Sequence, residues 1–123
     1  MPRSRKMGEV FGRATFSGPA GRRRTLRLLV DTGSTYSWLP TRLARYLGAV
    51  PQRRIGFEMA NGREVWRPVG ILDVAILGRR APTVIVFGRR GDGSHLGLHA
   101  LEGLTLYVDS ARRRLRRGRK ARA

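Results

Sequence analysis

Cysteine is absent from this 123-residue chain. That excludes a disulfide framework, a thiolate nucleophile and a thiolate metal site. No stretch approaches the roughly 18 apolar residues of a membrane span. The basic N-terminus is followed by no apolar signal core, so a cytoplasmic location is expected. There are only two histidines, His95 and His99, with no carboxylate or cysteine at ligand spacing, so neither a metal nor an organic cofactor is expected. No Gly-Lys-Ser/Thr loop is present, which excludes Walker-type phosphate binding. There is no internal repeat.

Acidic residues are also scarce, 8 Asp and Glu against 26 Lys and Arg, for a formal charge of +18. Much of the excess lies at the ends, in Arg3, Arg5 and Lys6 and in the run from Arg112 to Arg122. The boundaries expected are a basic tail over 1–7, one domain over 8–110 and an Arg-rich tail over 111–123. Such tails are usually solvated. They could make weak contact with nucleic acid or another anionic surface by counterion release. Stacking platforms and a recognisable RNA or DNA motif are missing, however.

What is present is mostly β pattern. Gly8 to Ser17 and Thr25 to Val30 read as two strands around the turn Gly18-Pro19-Ala20-Gly21. Thr41 is placed to cap a short helix that carries Leu43, Ala44 and Leu47 and closes at Gly48. Ile55 to Ala60 and Arg63 to Val69 flank Asn61-Gly62, a strong hairpin signal. Ile71 to Leu77, Thr83 to Phe87 and Leu104 to Val108 read as further strands. Leu98 to Glu102 reads as a second short helix.

One stretch carries chemistry. An apolar strand, Leu26 to Val30, runs into Asp31-Thr32-Gly33-Ser34, and Tyr36 to Leu39 continues as a strand that Pro40 stops. A carboxylate at a strand end, with small hydroxyl neighbours and a glycine for a tight turn, suits acid–base work more than packing. The same residues could also make a plain turn. Asp92-Gly93-Ser94 has no apolar strand directly before it and reads as that plain turn. Asp73 and Asp109 are expected to pair with arginines, and Tyr36 and Trp38 to pack in the core.

Leu29-Val30-Asp31-Thr32-Gly33-Ser34 resembles the active-site loop of the aspartic proteases. The order of elements resembles their single-lobe, retropepsin-like branch over residues 8 to 109. The resemblance implies a closed acid-protease barrel with one or two short helices, active as a homodimer on peptide or protein substrates. It implies Asp31 as the catalytic carboxylate, with Thr32, Gly33 and Ser34 supporting the loop. It also implies a flap over Ile55 to Val69, with Met59, Ala60, Asn61, Gly62 and Trp66 at or near the substrate. Leu96 and Gly97 would support the cleft. His95 departs from the family pattern, standing where the first of two apolar residues before Gly97 is expected. A non-catalytic dimerisation or nucleic-acid-binding module on the same fold is the alternative.

Overall fold

The computed structural model describes residues 8–123. Nine strands and two short helices occur in the order β1 Phe11–Ser17, β2 Arg23–Val30, β3 Ser37–Pro40, α1 Thr41–Tyr46, β4 Arg53–Glu58, β5 Glu64–Ile76, β6 Arg79–Gly88, β7 His95–Leu96, α2 Leu98–Gly103, β8 Leu106–Asp109 and β9 Arg114–Arg117. The protein is mostly β, as its sequence predicts.

Seven strands form one sheet in the order β1-β2-β7-β3-β6-β5-β4, and β1 also pairs with β5. Strand β1 shows why. Gly12, Ala14 and Phe16 are buried while Arg13 faces solvent, the period-2 alternation of a half-buried strand. Its partner β2 is antiparallel, with Phe11 opposite Leu29 and Ser17 opposite Arg23. Strand β6 lies between β3 and β5 and is buried continuously from Ile85 to Gly88, as a central strand should be.

Two apolar clusters result. The larger gathers Phe16, Leu39, Leu47, Leu72, Phe87, Leu96 and Leu101 among others. The smaller holds Trp38, Val65, Val69 and Val86, with Tyr36, Ile55, Phe57 and Met59 packed on it. Neighbouring residues of β3 therefore serve different clusters, Leu39 one and Trp38 the other.

Several elements differ from expectation. Arg63 to Val69 and Ile71 to Leu77 are parts of one continuous strand, β5. Gly70 between them is no break: a Cβ there would lie 2.5 Å from the Val50 carbonyl oxygen, so glycine allows a close backbone approach. Strand β6 starts earlier than Thr83, because Leu77 (φ 52°) and Gly78 (φ 82°) form the tight turn. Thr41 does not cap α1. Pro40 is the N-cap residue, and the Thr41 hydroxyl donates instead to the Gly88 carbonyl at 2.9 Å. The parallel pairing of Pro40 with Gly88 brings that acceptor within reach.

The C-terminal arginines hold the largest departure. Residues 114–117, placed in a tail by composition, form β9 against β8, with Val108 opposite Leu115. Leu115 is buried, and a Cβ on Gly12 would sit 2.8 Å from its Cδ1, so the glycine makes room for it. One apolar residue among arginines is enough to dock the segment. The N-terminal residues 1–7 lie outside the described residues.

Candidate active site

Asp31 follows β2 directly, and two elements pin it. The Val30 N–H donates to the Val10 carbonyl and the Asp31 N–H to the Leu96 carbonyl, both at 2.8 Å. Downstream, the Ser34 N–H donates to the Asp31 carbonyl at 3.1 Å, closing the turn. The segment from Leu96 into α2 holds the loop's far side: Leu98 N–H to the Ser34 carbonyl at 2.8 Å, His99 N–H to the Thr35 carbonyl at 2.9 Å. Gly97 completes this seam by donating to the Ser37 hydroxyl at 3.0 Å. A Cβ on Gly97 would lie 2.4 Å from the Tyr36 carbonyl group, so no other residue permits this approach without displacement. Leu96 and Gly97 thus support the loop through their backbones.

The Asp31 carboxylate is only partly buried and, among the described residues, accepts one hydrogen bond, from the Gly33 N–H at 3.0 Å. Its neighbours Thr32 and Gly33 are exposed at the tip of the loop. The Thr32 hydroxyl makes no hydrogen bond among the described residues. Of the chain's four aspartates, Asp73, Asp92 and Asp109 each pair with arginine, and among the described residues Asp31 does not. In a chain this rich in guanidinium groups, a carboxylate kept free of them is available for chemistry.

Ser34 turns away from the carboxylate. Its hydroxyl donates to the Tyr36 carbonyl at 2.8 Å and lies 2.9 Å from His95 Nε2. Because the hydroxyl proton is committed to a carbonyl, which can only accept, Ser34 Oγ accepts from Nε2–H. His95 is thereby fixed as the Nε2–H tautomer. Its ring lies 6.0 Å from that of Trp38, and Trp38 meets Phe57 of β4 edge-on at 5.0 Å. Burial pushes the His95 pKa below the ordinary 6.5, and the Asp31 carboxylate opposes that shift. The departure from the family pattern at His95 is thus absorbed by a polar neighbour on one side and an aromatic one on the other.

Strands β4 and β5 form the expected hairpin, with Glu58 opposite Glu64. Its turn is closed by the Gly62 N–H donating to the Met59 carbonyl at 2.9 Å, so Ala60 and Asn61 occupy the tip. Gly62 follows at φ 83°, a left-handed position that suits glycine. The Asn61 side chain accepts from the Arg63 N–H at 2.9 Å. Met59 packs on the Trp38 cluster. Trp66 does not join it. It lies on the hairpin's exposed face, 51% accessible, across Gly56 and hydrogen-bonded to Glu64.

Two elements escape sequence reasoning. Ser37 is fully buried and holds Gly97; a lone hydroxyl between two aromatics in a short strand was the available signal. Arg67 occupies an inward position of β5 and binds Asp92 with two hydrogen bonds, Nε to Oδ2 at 2.7 Å and Nη2 to Oδ1 at 3.1 Å. Hydrogen bonds from Arg67, reinforced by the Arg89 N–H and by charge, hold the Asp92 carboxyl below the usual carboxylate range against the cost of burial. Among the described residues no group of three His, Cys, Asp or Glu could hold a metal ion. No helix among them is long and apolar enough to cross a membrane.

A strand-end carboxylate is thus pinned by backbone from two directions and pairs with no cation among the described residues. The family described as aspartyl protease, of the retropepsin-like clan, matches residues 13–103, and the chain belongs to it. The match contains Asp31, the β4–β5 hairpin and α2, and ends before β8. Curated proteins yield no match to the chain.

Proposed function

We propose that the protein is an aspartic endopeptidase that works as a C₂ homodimer, with Asp31 of each subunit on the dimer axis. The observation that carries this reading is the Asp31 loop, with its carboxylate unpaired among the described residues and its exposed Thr32–Gly33 tip. One such loop per chain supplies half of the required pair. A two-fold axis through the tip supplies the other half. Thr32, whose hydroxyl makes no hydrogen bond among the described residues, would then bond across to the partner loop.

Two carboxylates that close cannot both ionise, so the pair shares one proton and titrates as a unit. (Aspartic proteases are a standard illustration of this coupling.) The ionised carboxylate takes a proton from a bound water. The water oxygen forms a bond to the peptide carbonyl carbon, whose oxygen gains the proton from the neutral partner carboxyl. Collapse of the tetrahedral intermediate breaks the C–N bond, and a proton passes from an aspartate to the leaving nitrogen. The step uses two carboxylates and one water and requires no metal or organic cofactor.

In this reading the six strands that β1 links at both ends form a closed barrel. The hairpin of β4 and β5 is the flap, with Met59 and Ala60 to Gly62 over the substrate. A peptide would bind extended, as an added strand between flap and cleft floor. Flap closure excludes water from the reacting centre.

The test is cleavage of a peptide library at mildly acidic pH by the wild type and by Asp31→Asn, with and without a transition-state-mimicking aspartic-protease inhibitor. Cleavage abolished by both supports the proposal. Absence of cleavage over a broad pH range, from a preparation shown to be dimeric, contradicts it.

A further inference from the structure

A second surface, away from the Asp31 loop, concentrates positive charge on an aromatic ring. Arg22, just before β2, and Arg24, within it, place their guanidinium carbons 5.0 and 5.5 Å from the Tyr46 ring centre at the end of α1. Arg22 also donates from Nη1 to the Tyr46 carbonyl at 2.9 Å, which fixes the arrangement. Beside it lies an open groove of about 320 Å³ lined by Arg24, Pro40, Arg42, Leu43 and Tyr46. None of the ion pairs among the described residues involves Arg22, Arg24 or Arg42.

Gathering like charges without a carboxylate is unfavourable for the folded chain alone. An anion placed among them removes that cost. The groove's walls narrow the choice of anion. Phosphate oxygens match guanidinium forks, while Tyr46, 47% exposed, with Pro40 and Leu43 offers a surface for a flat apolar ring. A carboxylate-rich peptide would use the arginines and leave that surface unfilled. A base in a duplex is stacked in its own helix and cannot enter.

We propose that this groove binds single-stranded nucleic acid, with phosphates on Arg22, Arg24 and Arg42 and a base against Tyr46. This site belongs to the folded body, separate from the C-terminal arginines and independent of the peptidase reading. It supplies the aromatic element that the sequence alone did not reveal.

The experiment is fluorescence anisotropy with a labelled thymidine 20-mer and the full chain, over a salt series. Three charge-neutralised arginines should weaken binding at least about tenfold at low salt and reduce the salt slope by about two, at roughly 0.7 per phosphate contact. Those are Arg22→Gln, Arg24→Gln and Arg42→Gln combined. Tyr46→Leu should weaken binding about fivefold or more with the salt slope unchanged. Should the triple variant fail to fold, Arg42→Gln alone serves, since the Arg42 side chain makes no hydrogen bond among the described residues. The comparison is an equal charge change at Arg114, Arg119 and Arg122. A loss there as large as in the groove variant overturns the proposal in favour of the C-terminal segment. Equally tight binding of a duplex or of polyglutamate overturns it as well.

Discussion

Asp31 and Asp92 open similar short runs, Asp-Thr-Gly-Ser and Asp-Gly-Ser, and meet opposite fates. Each accepts a backbone N–H, from Gly33 at 3.0 Å and from Arg89 at 2.6 Å. The difference is the cation. Asp92 is clamped by Arg67, with side chains only 11% and 9% exposed, and it ties the β6–β7 connection to strand β5. Asp31 has no such partner among the described residues. It is held by backbone bonds around it, never by a bond that consumes its charge. The same residue type is thus ion-paired in one loop and left without a cation, among the described residues, in the other. The neighbour on the adjoining strand makes that distinction, not the local motif.

The comparison can be broken most severely at Asp31. Asp31→Asn should cut peptide cleavage on the order of a thousandfold or more while leaving the melting temperature nearly unchanged. A parallel loss of stability would mean that Asp31 is structural, like Asp92. The reciprocal change, Asp92→Asn, should destabilise the fold by about 3 kcal/mol, because it leaves the Arg67 charge buried and unpaired. Denaturant unfolding measures this, and the double variant Asp92→Asn with Arg67→Met should recover much of the loss. If the single variant is neutral, the ion pair is not the anchor described.

Gly97→Ala tests the backbone seam that pins the Asp31 loop. The added Cβ collides with the Tyr36 carbonyl group, so a stability loss of about 1–3 kcal/mol is expected, with reduced kcat. Unchanged unfolding and kcat would show that the seam relaxes freely.

The smallest effect is expected at His95. Its folded pKa lies below 6.5, so the unfolded chain binds the proton more readily. Its contribution to stability is therefore complete above about pH 6.5 and is lost as the pH falls through the folded value. His95→Leu should flatten the pH dependence of the melting temperature over that interval. Asp92 acts in the same direction at lower pH, since its depressed carboxyl protects the fold until the pH falls below the ordinary carboxylate range. An unchanged profile in His95→Leu would place its ring in solvent.

Much of this was legible in the sequence, because it rests on local pattern. The apolar strand before Asp31, the Asn61-Gly62 hairpin signal and the helix from Leu98 onward are all found close to where the pattern puts them. The paired arginines on Asp73 and Asp109 are found as well. What was hidden depends on partners distant in sequence. Gly70 looked like a strand break because the approaching Val50 carbonyl is 20 positions away. The turn at Asp92 is found as read, but its clamp was hidden because Arg67 lies 25 residues earlier. Leu115 looked like part of a solvated tail because its pocket is made by Gly12. Trp66 was grouped with Met59, but it lies on the exposed face of the hairpin, opposite the buried face of Val65 and Arg67.

The central claim is that a single unpaired carboxylate per chain works only with its copy. Subunit mixing tests it directly. Wild-type protein equilibrated with a ninefold excess of Asp31→Asn should retain about one tenth of its cleavage activity per wild-type chain, since that is the share found in wild-type dimers. Activity that is unaffected by the excess, under conditions where mixed dimers are shown to form, would contradict the paired mechanism.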